Sequence, residues 1–248
     1  MAEIIVFILI LIFLGIVSSF VPIGNENSTV RRLPWVTFSI MAVNEVVFYV
    51  TLPVFGSQLD ELDKLGNKIG QFIGKHQELL GDEDIREKLS EIGMLSKVEG
   101  DAITEQLSTS PETDTQYKAW LRGIEGQKLR EELDQKLTAF KVAAQNSLWY
   151  KYGLAPNGKW KPHQLITAAF LHGGTLHLFF NMIFFFAVAF SLEDLWGRGV
   201  FLGFYLLSAA ASCVPSLVNP VVVPSIGASG AISATMGAFL FRLPKTKI

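Results

Sequence analysis

Residues 163–190 read HQLITAAFLHGGTLHLFFNMIFFFAVAF. The second half is almost wholly aliphatic and aromatic, while the first half carries His172, His177 and Asn181. A bilayer core takes roughly 20 apolar residues in a helix. A span of about 165–192 is therefore predicted, polar where it begins and apolar where it ends. His177 and Asn181 are four apart, so on a helix they share one face, one turn from each other. His172, five before His177, falls roughly 140° away around the axis and belongs at the mouth of the helix.

The same apolar chemistry recurs on either side of this stretch. Ile4–Val21 has no charge, Trp35–Phe55 has only Glu45, Val200–Val218 is rich in Ala and Ser, and Ser229–Phe241 is uncharged until Arg242. The start MAE has no basic residue and no small-x-small cleavage site follows, so the first span reads as a retained helix rather than a signal peptide. Half the chain is apolar, with 19 phenylalanines, and the mean hydropathy is positive. Of the 44 charged residues, 30 (12 basic, 18 acidic) lie between Gly56 and Gln145. The predicted fold class is all-α: a polytopic membrane helix bundle with a soluble helical insertion. A formal net charge of −2 gives no reason to expect nucleic acid as a partner, and the single cysteine, Cys213, excludes an intrachain disulfide.

Basic residues set the orientation. Arg31 and Arg32 lie between the first two spans, Arg198 between the third and fourth, and Arg242, Lys245 and Lys247 after the fifth. Five spans put all three clusters on one side, read as cytoplasmic. The insertion, the mouth of the third span and the loop VNPVVVPSIGA (residues 218–228) then face outward.

Within the insertion, Leu59, Leu62, Leu65, Ile69 and Phe72, then Ile85, Leu89, Ile92 and Leu95, and later Leu129, Leu133, Leu137 and Phe140 recur at gaps of three and four. They predict amphipathic helices. Breaks are expected at Gly81-Asp82, Gly100-Asp101 and STSPETD (108–114), where Asp or Thr can cap the next helix. The plain reading is a small helical bundle with a solvated charged face; self-association through it is a second possibility.

Polar residues are costly in a membrane. His172, His177 and Asn181 can serve as interhelical hydrogen-bond donors and acceptors. Ser229, in GASG (227–230), can be a close-packing position. The spacing and the lack of nearby carboxylates make a metal site a poor fit. Taken together, the residues also fit nucleophilic chemistry. A serine hydroxyl needs a base, and a tetrahedral intermediate needs oxyanion donors. His177, Asn181 and the Ser229 N–H can supply those donors.

HQLITAAFLHGGTLHLFFNM (163–182), LEDLWGRG (192–199) and GASGAISATMGAF (227–239) make the chain resemble the rhomboid family of intramembrane serine proteases, with VPIGNENSTVRRLPWVTFSIMAVNEVVF (21–48) resembling the approach to that family's first core helix. The resemblance covers roughly residues 21–55 and 149–244. It divides the chain into an extra N-terminal helix (1–22), the first core helix with its cytoplasmic lead-in (23–55), the insertion (56–147) and a core with three further spans (148–248). It implies Ser229 as nucleophile, His177 and Asn181 as oxyanion donors, His172 as a supporting residue, and Gly227 and Gly230 as residues shaping the loop. Glu193 and Gly197 would be structural. The reaction implied is hydrolysis of transmembrane protein substrates near the outer face, without metal or organic cofactor, in a bacterial inner membrane. The family's general base is a histidine on a sixth core helix. His76, His163, His172 and His177 match no such position, so that base and the last two core helices are expected to lie outside these 248 residues, leaving this chain inactive alone. The alternatives are a non-catalytic relative that binds transmembrane clients, an assembly with a partner carrying the base, and a membrane-anchored scaffold.

Overall fold

The computed structural model describes residues 24–25, 28–29, 33–95, 119–155, 160–218 and 223–243. The expected first span, the breaks at 100–101 and 108–114, and the basic residues at 31, 32, 245 and 247 lie outside them. Among the described residues the fold is all-α apart from a two-residue antiparallel ladder, β1 (Gly24–Asn25) on β2 (Ser28–Thr29), and one isolated bridge. Contacts divide the chain into two compact units, residues 53–151 and the remainder.

The first long helix, α1, spans Trp35–Lys75. The expected boundary between span and insertion, near Phe55–Gly56, falls inside this helix, and the two compact units divide close to it, between Leu52 and Pro53. The buried positions Phe48, Phe55 and Ile69 stay in register, and Gly56 inside a helix costs only about 1 kcal/mol. Pro53 lies within α1 and has no N–H to donate.

In the unit of residues 53–151, α1 is followed by a 3₁₀ turn (Gln77–Gly81), α2 (Glu83–Glu91) and α3 (Ile124–Asn146). Asp82 caps α2, its carboxylate accepting the Asp84 N–H at 3.0 Å. Ile69, Phe72, Leu79, Ile85, Leu89, Leu121, Leu133 and Leu137 form the core. Lys88 binds both Asp84 and Asp134 at 2.9 Å, and these hydrogen bonds, Asp84 first, hold its ammonium above the usual lysine range. Arg130 pairs with Asp82, and Lys141 with Glu91 at 2.7 Å. A short helix, α4 (Leu148–Tyr152), follows.

The other unit holds α5 (Gln164–Thr167), a 3₁₀ turn (Ala168–Phe170), α6 (Thr175–Trp196), α7 (Arg198–Ser212), α8 (Val214–Val218) and α9 (Ser229–Arg242). Among the described residues, three helices are long and apolar enough to cross a membrane: α1, α6 and the run from Arg198 to Val218. The third span starts at Thr175 rather than near Leu165. Leu171 is extended and Gly174, at φ 177°, keeps the chain extended up to the helix. Gly197, at φ +79°, allows α6 and α7 to join through one residue, its N–H donating to the Glu193 carbonyl at 2.8 Å. That backbone conformation favours glycine.

The core of this unit forms where one face each of α6, α7 and α9 meets the first half of α1. Phe185 is central, tilted against Tyr205 at 5.2 Å and stacked on Phe201 at 6.3 Å. Glu193, 3 % exposed, ties α6 to the start of α1. Its Oε1 accepts the Val36 N–H at 3.0 Å, and its Oε2 accepts the N–H and hydroxyl of Thr37, both at 2.8 Å. A helix N-terminus leaves its first N–H groups without intrahelical partners and favours negative charge. A carboxylate from a neighbouring helix meets both needs.

Candidate functional site

The loop before α9 is held at two points. Leu154 and Ser225 exchange a pair of backbone hydrogen bonds, N to O 2.9 and 3.0 Å, as an isolated antiparallel bridge. Two residues later the Gly227 N–H donates to the Ala168 carbonyl at 2.9 Å. The chain then turns into α9 with Ala228 buried and Ser229 exposed as the first helical residue. The Ser233 hydroxyl, one turn on, donates to the Ser229 carbonyl at 2.8 Å and fixes that turn further.

Gly227 has φ +116°. A Cβ there would lie 2.8 Å from His177 Cε1, 2.9 Å from His177 Nε2 and 3.9 Å from Ser229 Oγ. The imidazole of His177 and the hydroxyl of Ser229 therefore flank one position, and only a residue without a side chain leaves room for both. Gly230 marks a second close approach, since a Cβ on it would collide with the Ser212 side chain at the end of α7. Absence of a side chain here lets α9 and α7 pack at short range.

His177 stands in the first turn of α6 with an exposed side chain. The ring of His172 meets it edge to face, centroids 5.1 Å apart and 67° between planes. His172 is fully buried, and neither of its ring nitrogens makes a hydrogen bond with a described residue. Asn181, 7 % exposed, donates from Nδ2 to the His177 carbonyl at 3.0 Å, so its amide is tied to the turn above it. His163 lies exposed before α5, and His76, in the other unit, sits 3.2 Å from Glu78.

The structure thus brings His172, His177, Gly227 and Ser229 together. It puts Asn181 one turn below His177 on α6 and Gly230 beside Ser229 on the face toward α7. Sequence reasoning missed the two backbone anchors, Leu154 and Ala168, and the Ser212 partner of Gly230. Backbone pairing between residues as far apart as Leu154 and Ser225, or Ala168 and Gly227, leaves no mark in periodicity. Ser212 could have been suspected from the small-residue run SAAAS that closes α7.

A family profile described as the rhomboid domain matches residues 159–248. The rhomboid protease GluP of Bacillus subtilis is 38% identical over 89 residues, 36% of this chain and 17% of the relative. The mitochondrial rhomboid protein 1 of Saccharomyces cerevisiae is 36% identical over 90 residues, 34% of this chain and 26% of the relative. The mitochondrial RHOMBOID-like protein 6 of Arabidopsis thaliana is 32% identical over 123 residues, half of this chain and 39% of the relative. The chain therefore spans less than half the length of each of these relatives. No solved structure matches.

Proposed function

We propose, on the rhomboid-domain match over residues 159–248, that the chain is a rhomboid-family intramembrane serine endopeptidase that hydrolyses a peptide bond in or near the transmembrane helix of a substrate, close to the outer membrane face. It is an integral membrane protein, with three described helices able to cross a bilayer. A bacterial inner membrane, with the insertion outside, is the proposed setting. The observation that carries the reading is the position at Gly227 shared by the His177 ring and the Ser229 hydroxyl.

In the proposed reaction Ser229 Oγ attacks the scissile carbonyl and the oxygen takes up negative charge. His177 and the Asn181 amide lie on the α6 side of that oxygen, and the backbone N–H of Ser229, at the positive end of α9, lies on the other. The Asn181 amide keeps a second N–H for that oxygen beside the one it gives to the His177 carbonyl. His172 buttresses the His177 ring, and Gly227 keeps open the space the substrate must enter.

The hydroxyl proton needs an acceptor. His177 is assigned to the oxyanion, His172 is sealed behind it, and neither His163 nor His76 belongs to the site. The proposal therefore requires a base other than these four histidines. The same fact favours a second reading, a non-catalytic relative that binds transmembrane clients. Reconstitution from native membranes with a labelled single-span substrate separates them. Under the protease reading Ser229→Ala abolishes cleavage, and Asn181→Ala lowers it about 10²- to 10³-fold, as expected for one oxyanion donor. Client binding without cleavage in the unaltered protein supports the second reading instead.

A further inference from the structure

Glu45 is the only charged residue between Arg32 and Asp60. It stands 13 residues after the first and 15 before the second, which places it near the middle of the bilayer on α1. Its neighbour Asn44 turns inward, fully buried, and donates to the Ile40 carbonyl at 2.8 Å. Glu45 does not follow it. The side chain is only partly buried and makes neither a hydrogen bond nor an ion pair with any described residue.

An ionisable group at mid-bilayer is costly unless it faces a partner or water. In either protonation state the carboxyl keeps hydrogen-bonding atoms that lipid chains cannot satisfy. Its surroundings on α1 fit an approaching helix. Ser39, Ala42, Val43 and Val46 are exposed beside it, small or β-branched residues that let a second backbone come close.

We propose that this face of α1 is a docking surface for another transmembrane helix that carries a hydrogen-bonding side chain near its midpoint, with Glu45 as the recognition element. The proposal does not depend on the proteolytic reading.

The test uses the full chain in lipid vesicles and three labelled model peptides, each a Leu/Ala transmembrane helix. One has a single Gln at its centre, one has the Gln moved two turns toward an end, and one has none. Energy transfer reads association. The central-Gln peptide is expected to bind roughly 3- to 30-fold more tightly than the other two, the range an interhelical hydrogen bond gives. Glu45→Leu should remove the preference and Glu45→Gln should keep most of it. Equal binding of the three peptides to the unaltered chain overturns the proposal without recourse to any variant, and so does a preference that survives Glu45→Leu. Association of two copies of the chain that Glu45→Leu abolishes and the central-Gln peptide does not displace makes the occupant a second copy, which also overturns it.

Discussion

At the scale of single residues the site is built by what is left out. Gly227 has a backbone conformation that L side chains rarely adopt, and its missing Cβ is the space between His177 and Ser229. Gly227→Ala is expected to cost about 1–3 kcal/mol from strain at positive φ and overpacking. It should also displace the His177 ring. Thermal unfolding in detergent measures the first effect. The second would appear as a changed edge-to-face contact between His172 and His177, read from their ring proton shifts by NMR. A Gly227→Ala protein with unaltered imidazole shifts would contradict the placement of the ring against this glycine.

At the scale of elements, two contacts between helices carry specific, separable costs. Glu193 supplies the acceptors for the first N–H groups of α1. Glu193→Ala strands those donors and the Thr37 hydroxyl in a buried place, a loss of about 2–3 kcal/mol. Glu193→Gln keeps one acceptor oxygen and should lose about half as much. Equal unfolding midpoints for the three proteins would show that Glu193 does not cap α1. Between α9 and α7 the limiting contact is Gly230 on Ser212. Gly230→Ala should destabilise by about 1–3 kcal/mol, and Ser212→Gly in the same chain should recover most of that. Neighbours in contact couple in this way and distant residues do not.

At the scale of the whole molecule, the membrane and soluble parts were legible for different reasons. Periodicity placed the amphipathic helices of residues 53–151 because Ile69, Ile85, Leu89, Leu133 and Leu137 recur at helical spacing and all of them end in one core. Leu133 is fully buried in that core. Leu133→Ala is expected to cost about 2–5 kcal/mol and to raise amide exchange in α2 and α3, and unchanged exchange there would contradict a packed core. Hydropathy located α6, α7 and α9 but missed two boundaries. The continuation of α1 past Phe55 was hidden because the apolar span and the amphipathic run from Leu59 to Phe72 were read from two different patterns, although one helix carries both. The late start of α6 was hidden because Leu165–Phe170 is apolar and forms short turns rather than a span. The polar residues of the candidate site could be read from their spacing. The hydrogen bonds from Ser225 to Leu154 and from Gly227 to Ala168 could not, since side-chain identity is silent about pairing between distant backbones.

The central claim is that Ser229 is a nucleophile beside a preformed oxyanion site. Its most direct measurement is labelling by a fluorophosphonate, with the modified residue located by mass spectrometry. In native membranes Ser229 should be labelled, and more slowly when Gly227 is alanine. Ser229→Ala should remove the label. A Ser229 that stays unmodified in native membranes while a soluble serine hydrolase in the same sample is labelled to completion would contradict the account.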